Sequence, residues 1–314
     1  MTDFSWKDRP VLITGGAGFL GSHLIESLLL RGAKITCLDS LDEPWRLKHL
    51  LREINYVSTD VAYWVYDEKI KFDSIFHLAA FSFPYAVQNK PELAYRQNVM
   101  ITANMLSIAY KYKIRKFIFT SAGALYSNIP SYLPIDEKHP IDPSQSVYAT
   151  TKRIGEMLCD DFFRWYGLPV LYFRLFNTYG PRQALEYLVP SFVIEASTKG
   201  SINVRNEKIR RDFTYVTDMV EGLIKGAESD YNGGPINLGS GKEHSIGEMA
   251  KKIAALVGIE KVVSLNEKVF GPERHVCDNS LARRVLNWKP AVTLEEGLRL
   301  TVDAYKKEEL VLNK

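Results

Sequence analysis

The sequence has few cysteines, no long hydrophobic run and almost no net charge. Its three cysteines, Cys37, Cys159 and Cys277, lie far apart, which predicts neither a disulfide framework nor a metal site with paired cysteine ligands. The apolar stretches are far too short to span a bilayer, and residues 1–9 lack the apolar region of a signal peptide. We therefore expect a soluble, cytoplasmic protein with no membrane partner and no metal ion.

Charge and composition exclude two further classes of protein. Forty Lys and Arg against 37 Asp and Glu leave a net charge of +3, spread along the chain, so we expect no nucleic-acid partner. Hydrophobic residues make up 46% of the 314 residues, which argues against disorder. This length and composition are typical of a globular enzyme or binding protein of about two domains.

The first forty residues predict a strand, a turn, a helix and a second strand. Residues 11–14 form an apolar, β-branched run that a glycine-rich turn interrupts, and apolar residues then recur at helical spacing as far as Gly32. Further short apolar runs alternate with helical stretches at residues 91–113 and 147–166. This alternation predicts an α/β fold with a doubly wound parallel sheet of the Rossmann type.

The turn after the first strand has the spacing of a dinucleotide-binding loop. Glycines at these positions allow a tight turn and a close approach of the main chain to a pyrophosphate, which the N-terminus of the following helix also faces. The predicted cofactor-binding residues of this loop are Gly15, Gly18, Phe19, Leu20 and Gly21.

Asp39 closes the second predicted strand and favours NAD over NADP. Its carboxylate can accept hydrogen bonds from both ribose hydroxyls of the adenosine and would repel a 2′-phosphate. If the loop binds a dinucleotide, further residues lie along its adenine and pyrophosphate, two of them before the next predicted strand and three at its end. These residues are Asp60, Val61, Leu78, Ala79 and Ala80.

Tyr148 and Lys152 place a phenol and an ammonium one turn apart on the same helix face. Tyr112 and Lys116 have the same spacing, but Lys116 begins the next predicted strand, so only the first pair falls within one helix. The ammonium and a nearby positive nicotinamide ring would favour the phenolate. Tyr148 would then remove the proton of a substrate hydroxyl while hydride leaves the same carbon.

Many motifs in this order resemble the extended short-chain dehydrogenases, and among them the NAD-dependent sugar-nucleotide epimerases and dehydratases. The resemblance covers nearly the whole chain and rests on segments that include the glycine loop and the Tyr148 motif. The other segments are His77-Leu-Ala-Ala80, Asn98, Arg174-Leu-Phe-Asn-Thr-Tyr-Gly-Pro-Arg182, Arg211-Asp-Phe-Thr-Tyr-Val-Thr-Asp218, Ile236-Asn-Leu-Gly-Ser240 and Trp288-Lys-Pro290.

The resemblance implies a division of the chain and a set of binding residues. Residues 1–176 would bind NAD, with a return segment near residues 212–240, and residues 177–314 would form a smaller α/β domain for the sugar nucleotide. Guanidinium groups suit the substrate diphosphate because they pair with phosphate in a bidentate manner. By resemblance, Asn98 contacts the cofactor, and the substrate-binding residues are Asn177, Leu188, Val189, Arg211 and Arg274.

The sequence departs from this family beside the tyrosine. Ala122 stands where relatives carry the Ser or Thr that binds the substrate oxygen, so Ser121 or Thr120 would have to replace it, or a water or Tyr148 alone would hold the oxygen. Gly123 and Ala124 occupy the places of the acidic residues of dehydratases, and the glutamate of uronate decarboxylases is missing. The resemblance therefore disfavours both of these reactions.

What remains by resemblance is epimerisation at C4 of a nucleotide-diphosphate sugar, of the UDP-glucose and UDP-galactose type, through a transient 4-keto sugar. A 4-ketoreductase of a deoxysugar nucleotide would use the same residues. A noncatalytic dinucleotide-binding regulator is the alternative of another class, motivated by Ala122.

The resemblance also implies a homodimer. The predicted helices at residues 91–113 and 147–166 would pair with their copies in a four-helix interface. Apolar contacts there would come from Tyr95, Met105, Phe162 and Trp165, although all four could equally belong to the core.

Overall fold

The computed structural model describes residues 4–66, 71–82, 89–268 and 271–312, with side chains as far as residue 307. Its largest sheet consists of β1 (Pro10–Thr14), β2 (Lys34–Asp39), β3 (Asn55–Ser58), β4 (Ser74–His77), β5 (Lys116–Ala122), β6 (Val170–Leu175) and β10 (Gly233–Leu238). The strand order is β10-β6-β5-β4-β1-β2-β3, and every neighbouring pair is parallel. The predicted doubly wound sheet is confirmed.

Helices cover both faces of this sheet. Their bounds are α1 (Phe19–Leu30), α2 (Pro91–Tyr95), α3 (Ile101–Lys111), α4 (Val147–Tyr166) and α6 (Val216–Glu228). Successive residues of β1 face opposite layers, so Val11 and Ile13 pack in the core with α1 and α6, whereas Leu12 packs with α3 and α4. A strand buried on both sides explains why the sequence of β1 is a continuous apolar run.

The structure differs from the sequence-based prediction in two elements. The helix predicted over residues 91–113 is interrupted, because Arg96–Met100 forms a π-helical turn between α2 and α3. The half-exposed strand β3, whose residues alternate only weakly between apolar and polar, was not predicted. β10 pairs with β6, so a strand from the second half of the chain completes the sheet near residues 212–240.

The chain leaves the large sheet after β6 and builds two small sheets. One contains β7 (Asn177–Tyr179), β9 (Arg210–Tyr215), β11 (Glu243–Ser245) and β13 (Arg274–His275), and the other pairs β8 (Ser201–Val204) with β12 (Lys261–Ser264). Three helices share a second apolar core with them. These are α5 (Leu188–Lys199), α7 (Ile246–Val257) and α9 (Leu294–Leu312), while the short α8 (Ser280–Leu286) packs with α6.

None of the helices in the described part of the chain combines the length and the apolar content that crossing a bilayer requires.

Candidate active site

A single cavity of about 850 Å³ joins most of the predicted site residues. It opens at the carboxyl ends of β1, β2, β4 and β5, where ligands bind in open parallel sheets. It continues from there to β7 and the start of α5. The predicted residues that line it are Gly15, Gly18, Phe19, Leu20, Gly21, Asp39, Asp60, Val61, Leu78, Ala79, Ala80, Ser121, Tyr148, Lys152, Asn177, Leu188 and Val189.

The glycine loop brings bare backbone to the wall of this cavity. Gly15 has a φ of +72°, and a Cβ atom there would lie 2.6 Å from the backbone nitrogen of Ala79. Gly21 packs so closely on the carbonyl of Gly15 that no side chain fits between loop and helix. α1 begins directly after Gly18, so its first amides face the same space. This cradle fits the pyrophosphate of a dinucleotide.

Asp39 is held at the far end of the cavity by main-chain donors. Its Oδ2 accepts a hydrogen bond of 3.0 Å from the amide of Ala17, and its Oδ1 accepts one of 3.2 Å from the amide of Leu41. Burial raises the pKa of Asp39, and these amides oppose that shift. Arg46, which the sequence analysis did not single out, lines the same end of the cavity and lies over Trp45. A carboxylate here fits the ribose hydroxyls of NAD.

Asn98 lies beneath the cofactor loop rather than in the wall of the cavity. It is buried in the π-helical turn, where its Oδ1 accepts a hydrogen bond of 2.7 Å from the amide of Phe81 and its Nδ2 donates to Thr151 Oγ1. This side chain therefore fixes the segment after β4, and its contact with the cofactor stays a prediction from the resemblance. The π-helical turn directs Asn98 inward, as such turns often do near functional sites.

Tyr148 and Lys152 face the cavity from the first two turns of α4. The side chain of Ser146 caps this helix by accepting a hydrogen bond from the amide of Ala149. Lys152 Nζ donates a hydrogen bond of 2.7 Å to the carbonyl of Thr120 and lies 5.8 Å from the centroid of the Tyr148 ring. The strand β5 therefore fixes the position of the ammonium beside the phenol.

The electrostatics of this pair differ from the sequence-based expectation. Burial lowers the pKa of Lys152 to about 8, and it raises the pKa of Tyr148, which the neighbouring Tyr187 raises further. The protein by itself thus favours the neutral phenol. The positive charge of a bound nicotinamide ring, which the sequence analysis included, is needed to favour the phenolate.

The hydroxyl of Ser121 is engaged in a buried ion pair. Its Oγ donates a hydrogen bond of 2.7 Å to Glu156 Oε1, and Arg174 binds both carboxylate oxygens of Glu156 at 2.8 Å. Glu156 is completely buried. In this arrangement the proton of Ser121 serves the carboxylate of α4, so the replacement of the missing hydroxyl at Ala122 by Ser121 stays an untested prediction. Glu156, two turns beyond Tyr148, was not identified from the sequence.

The position of the dehydratase acid is filled by neighbouring rings. A Cβ atom at Gly123 would lie 3.1 Å from His275 Cε1 and 3.4 Å from Phe176 Cδ2. His275 Nε2 donates a hydrogen bond of 3.2 Å to the carbonyl of Gly123, and its ring packs 4.6 Å from that of Phe176. An acidic side chain at Gly123 would therefore require these neighbours to shift. His275 also lines the cavity and was missed from the sequence.

The two arginines predicted to bind phosphate differ in their surroundings. Arg274 is exposed and pairs with Glu243, its Nη2 lying 2.6 Å from Oε1, and it is not among the residues that line the cavity, so its contact with the substrate stays a prediction from the resemblance. Arg211 lies beside His275 in the pairing of β9 with β13. Its pKa falls to about 10 by burial, and no carboxylate of the described residues pairs with it. Arg211 does not line the cavity, yet it is a half-buried cation that has no carboxylate partner among the described residues.

The glycine cradle, Asp39 and the Tyr148 and Lys152 pair along one cavity define an NAD-dependent enzyme of the Rossmann class. The chain matches the family described as GDP-mannose 4,6 dehydratase over residues 12–301 and belongs to that family. It is 34% identical over 318 residues to UDP-glucuronic acid decarboxylase 1 of Xenopus tropicalis, a match that covers 97% of this chain and 74% of the relative.

Two solved structures share the fold of this chain. One is the UDP-N-acetylglucosamine 4-epimerase from Methanobrevibacter ruminantium M1 in complex with UDP-N-acetylmuramic acid, with a TM-score of 0.90, 28% identity and coverage of 96% of this chain and 99% of that chain. The other is the UDP-glucuronic acid 4-epimerase from Bacillus cereus in complex with UDP-glucuronic acid and NAD, with a TM-score of 0.86, 25% identity and coverage of 95% and 99%.

These relationships confirm the predictions of the family, of NAD as the cofactor and of a nucleotide sugar as the substrate class. The names of the relatives include decarboxylases as well as 4-epimerases. In general terms, these relatives support an enzyme that modifies nucleotide sugars.

Proposed function

We propose that the protein epimerises C4 of a UDP-hexose of the UDP-glucose and UDP-galactose type. The observation that carries this proposal is the phenol of Tyr148 beside Lys152, in a cavity whose neighbouring strand offers no acid. Epimerisation requires only reversible removal of the hydroxyl proton and of a hydride at one carbon. It therefore needs no carboxylate at residues 122–124.

Different residues along the cavity would bind the cofactor, bind the substrate and transfer the proton. Gly15, Gly18 and Asp39 would hold NAD, which when bound supplies a reversible hydride acceptor. Tyr148 would take the proton of the 4-hydroxyl, and Lys152 would favour its phenolate. Epimerisation would follow when the 4-keto sugar presents its other face, C4 takes the hydride back on that face and Tyr148 returns the proton to the oxygen. Residues 1–176 with the return segment would thus serve the cofactor, and residues 177–314 the sugar nucleotide.

The substrate diphosphate is assigned to Asn177 and Arg211. Asn177 begins β7 and exposes its side chain at the cavity, while Leu188 and Val189 place the N-terminus of α5 at the same end. Arg211 is half-buried without a carboxylate partner among the described residues, as expected for a cation that serves an anionic ligand.

Decarboxylation and dehydration are disfavoured, although relatives are named for the first of them and the matching family is named for the second. Both reactions need an acid or base beyond the phenol, and in this chain Gly123 is enclosed by His275 and Phe176 while Ala124 lacks a functional group. Ketoreduction requires no more than Tyr148 and Lys152, so it remains the second candidate.

An assay of the purified protein separates these functions. We expect bound NAD after gel filtration and conversion of UDP-glucose into UDP-galactose without added cofactor, measured by chromatography. Stoichiometric consumption of NADH or NADPH by a 4-keto-6-deoxysugar nucleotide would support the ketoreductase instead. Absence of turnover with every nucleotide sugar would support the noncatalytic regulator.

We also propose a homodimer through α2, α3 and α4. Trp165 is 78% exposed and Tyr95 is 40% exposed, so both are free to contact a second copy, and Phe162 is half-buried. Met105 is completely buried in the core, which is the alternative that the sequence left open for this residue.

A further inference from the structure

Most hydroxyl groups along the cavity already have partners or lie far from Tyr148. Thr120 Oγ1 donates to the carbonyl of His77 at 3.4 Å, and Ser121 Oγ donates to Glu156. Tyr179 donates to the carbonyl of Leu294, and Thr178 Oγ1 donates to that of Phe176. Ser40 and Thr59 belong to the Asp39 end.

Two described lining residues that carry hydroxyls remain, Tyr187 and Ser82, and they bind each other. Tyr187 directly precedes α5 and lines the cavity, and its phenol shares a side-chain hydrogen bond with Ser82. Tyr187 lies near enough to Tyr148 to raise the pKa of that phenol. Burial also raises the pKa of Tyr187, so its hydroxyl keeps its proton at neutral pH.

The chemistry at Tyr148 calls for a second donor. While Tyr148 removes the proton of the sugar hydroxyl, the sugar oxygen gains negative charge, and a fixed hydrogen-bond donor aimed at that oxygen stabilises the transition state. Ala122, on the strand beside Tyr148, has no donor, and the proton of Ser121 is engaged by Glu156.

We propose that the hydroxyl of Tyr187, positioned by Ser82, donates this hydrogen bond to the reacting oxygen of the sugar. Tyr187 is then a catalytic residue of this chain, supplied from the start of α5 instead of from β5. The assignment rests on the proposed C4 reaction and adds the donor that this reaction lacks.

The first test combines Tyr187→Phe with Ala122→Ser. Tyr187→Phe is expected to lower kcat by roughly 10²- to 10³-fold, the usual effect of removing one such donor, with NAD content and circular dichroism unchanged. Adding Ala122→Ser to Tyr187→Phe should recover at least about tenfold of the lost kcat, because it places a hydroxyl on β5. Tyr132→Phe is the matched control, since Tyr132 binds Asp136 on an exposed loop.

The second test measures binding without turnover. In NAD-loaded protein that carries Tyr148→Phe, calorimetry gives the ratio of affinities for UDP-glucose and UDP. Adding Tyr187→Phe should lower this ratio by about 2- to 12-fold, the range for one lost hydrogen bond, without changing the affinity for UDP.

Each outcome bears on one proposal. A kcat within threefold of the unsubstituted protein in Tyr187→Phe, or an unchanged affinity ratio, would overturn the role of Tyr187. If the unsubstituted protein does not convert UDP-glucose, the C4 proposal fails, and the affinity ratio alone decides whether Tyr187 contacts the sugar.

Discussion

Two local features fix the position of Tyr148 relative to Lys152. Their spacing places them on one face of α4, and the carbonyl of Thr120 holds the Lys152 ammonium at 2.7 Å. Tyr112 and Lys116 share the spacing in sequence, yet Tyr112 stacks on Tyr66 and Lys116 is buried in β5. The same spacing therefore places two side chains at the cavity in one case and packs them into the fold in the other.

Substitutions at Tyr148 and at Tyr112 should therefore differ in their effect on activity. Tyr148→Phe should reduce epimerisation by about 10²- to 10⁴-fold, the contribution of a positioned general base, while bound NAD is retained. The rate is measured by chromatography of the product and the cofactor by absorbance after denaturation. Tyr112→Phe keeps its ring stacking and should retain full activity. Equal rates in the two variants would show that Tyr148 is not the base.

At the scale of elements, the β1–α1 turn combines a left-handed residue with a close backbone contact. Gly15→Ala should weaken NAD binding by at least about tenfold, because its Cβ would displace the backbone of Ala79 and because φ is +72°. The affinity is measured by fluorescence titration of the apoprotein. Gly200 also has a positive φ but has nothing within 4 Å, so Gly200→Ala should cost about 1 kcal/mol of stability and no affinity. Similar losses of affinity in both variants would contradict the cradle.

The helix α4 is joined to the sheet by the ion pair between Glu156 and Arg174. Arg174→Met leaves the buried carboxylate without its main partner and should lower the free energy of unfolding by about 3–5 kcal/mol. Arg153 binds the same carboxylate from a more exposed position, so Arg153→Met should cost only about 0–1 kcal/mol. Urea unfolding measures both values. Equal costs would mean that burial does not distinguish the two arginines.

At the scale of the whole molecule, two buried histidines make stability depend on pH. Burial lowers the pKa of His77 to about 3 and that of His275 to about 4, against about 6.5 in the unfolded chain. At pH values between the folded-state and unfolded-state pKa of each histidine, the unfolded state binds more protons than the folded state. The free energy of unfolding therefore falls as the pH is lowered below about 6.5.

The expected loss on going from pH 7.5 to pH 5 is about 2 kcal/mol for each of these histidines. Urea unfolding at both pH values measures the loss, and His275→Gln should reduce it by about this amount. His49→Gln, on an exposed side chain, is the matched substitution and should leave the loss unchanged. A loss that does not depend on His275 would refute this origin.

The proposed dimer is tested at the same scale. Trp165→Glu places a charge on the exposed apolar face of α4 and should shift sedimentation toward the monomer at micromolar concentration. Leu30→Glu changes a side chain that is 86% exposed on α1 and should leave the association state unchanged. A protein that sediments as a monomer before any substitution would exclude the dimer.

The cofactor half was predictable because its signals are local. Strand β1, the glycine turn, α1 and Asp39 follow one another within the first forty residues, and their chemistry depends mainly on backbone conformation and spacing. The doubly wound sheet follows from the alternation of such units. The addition of β10 to β6 is a long-range pairing, and only the resemblance to relatives indicated it.

The remainder of the site depends on contacts between distant segments. Arg274 pairs with Glu243 across strands, Ser121 donates to a carboxylate on α4, and Asn98 turns inward to hold the backbone of Phe81. Each of these side chains had several partners compatible with the sequence. Burial and geometry select one of them, and the same selection brings Tyr187 from the start of α5 to the cavity of Tyr148.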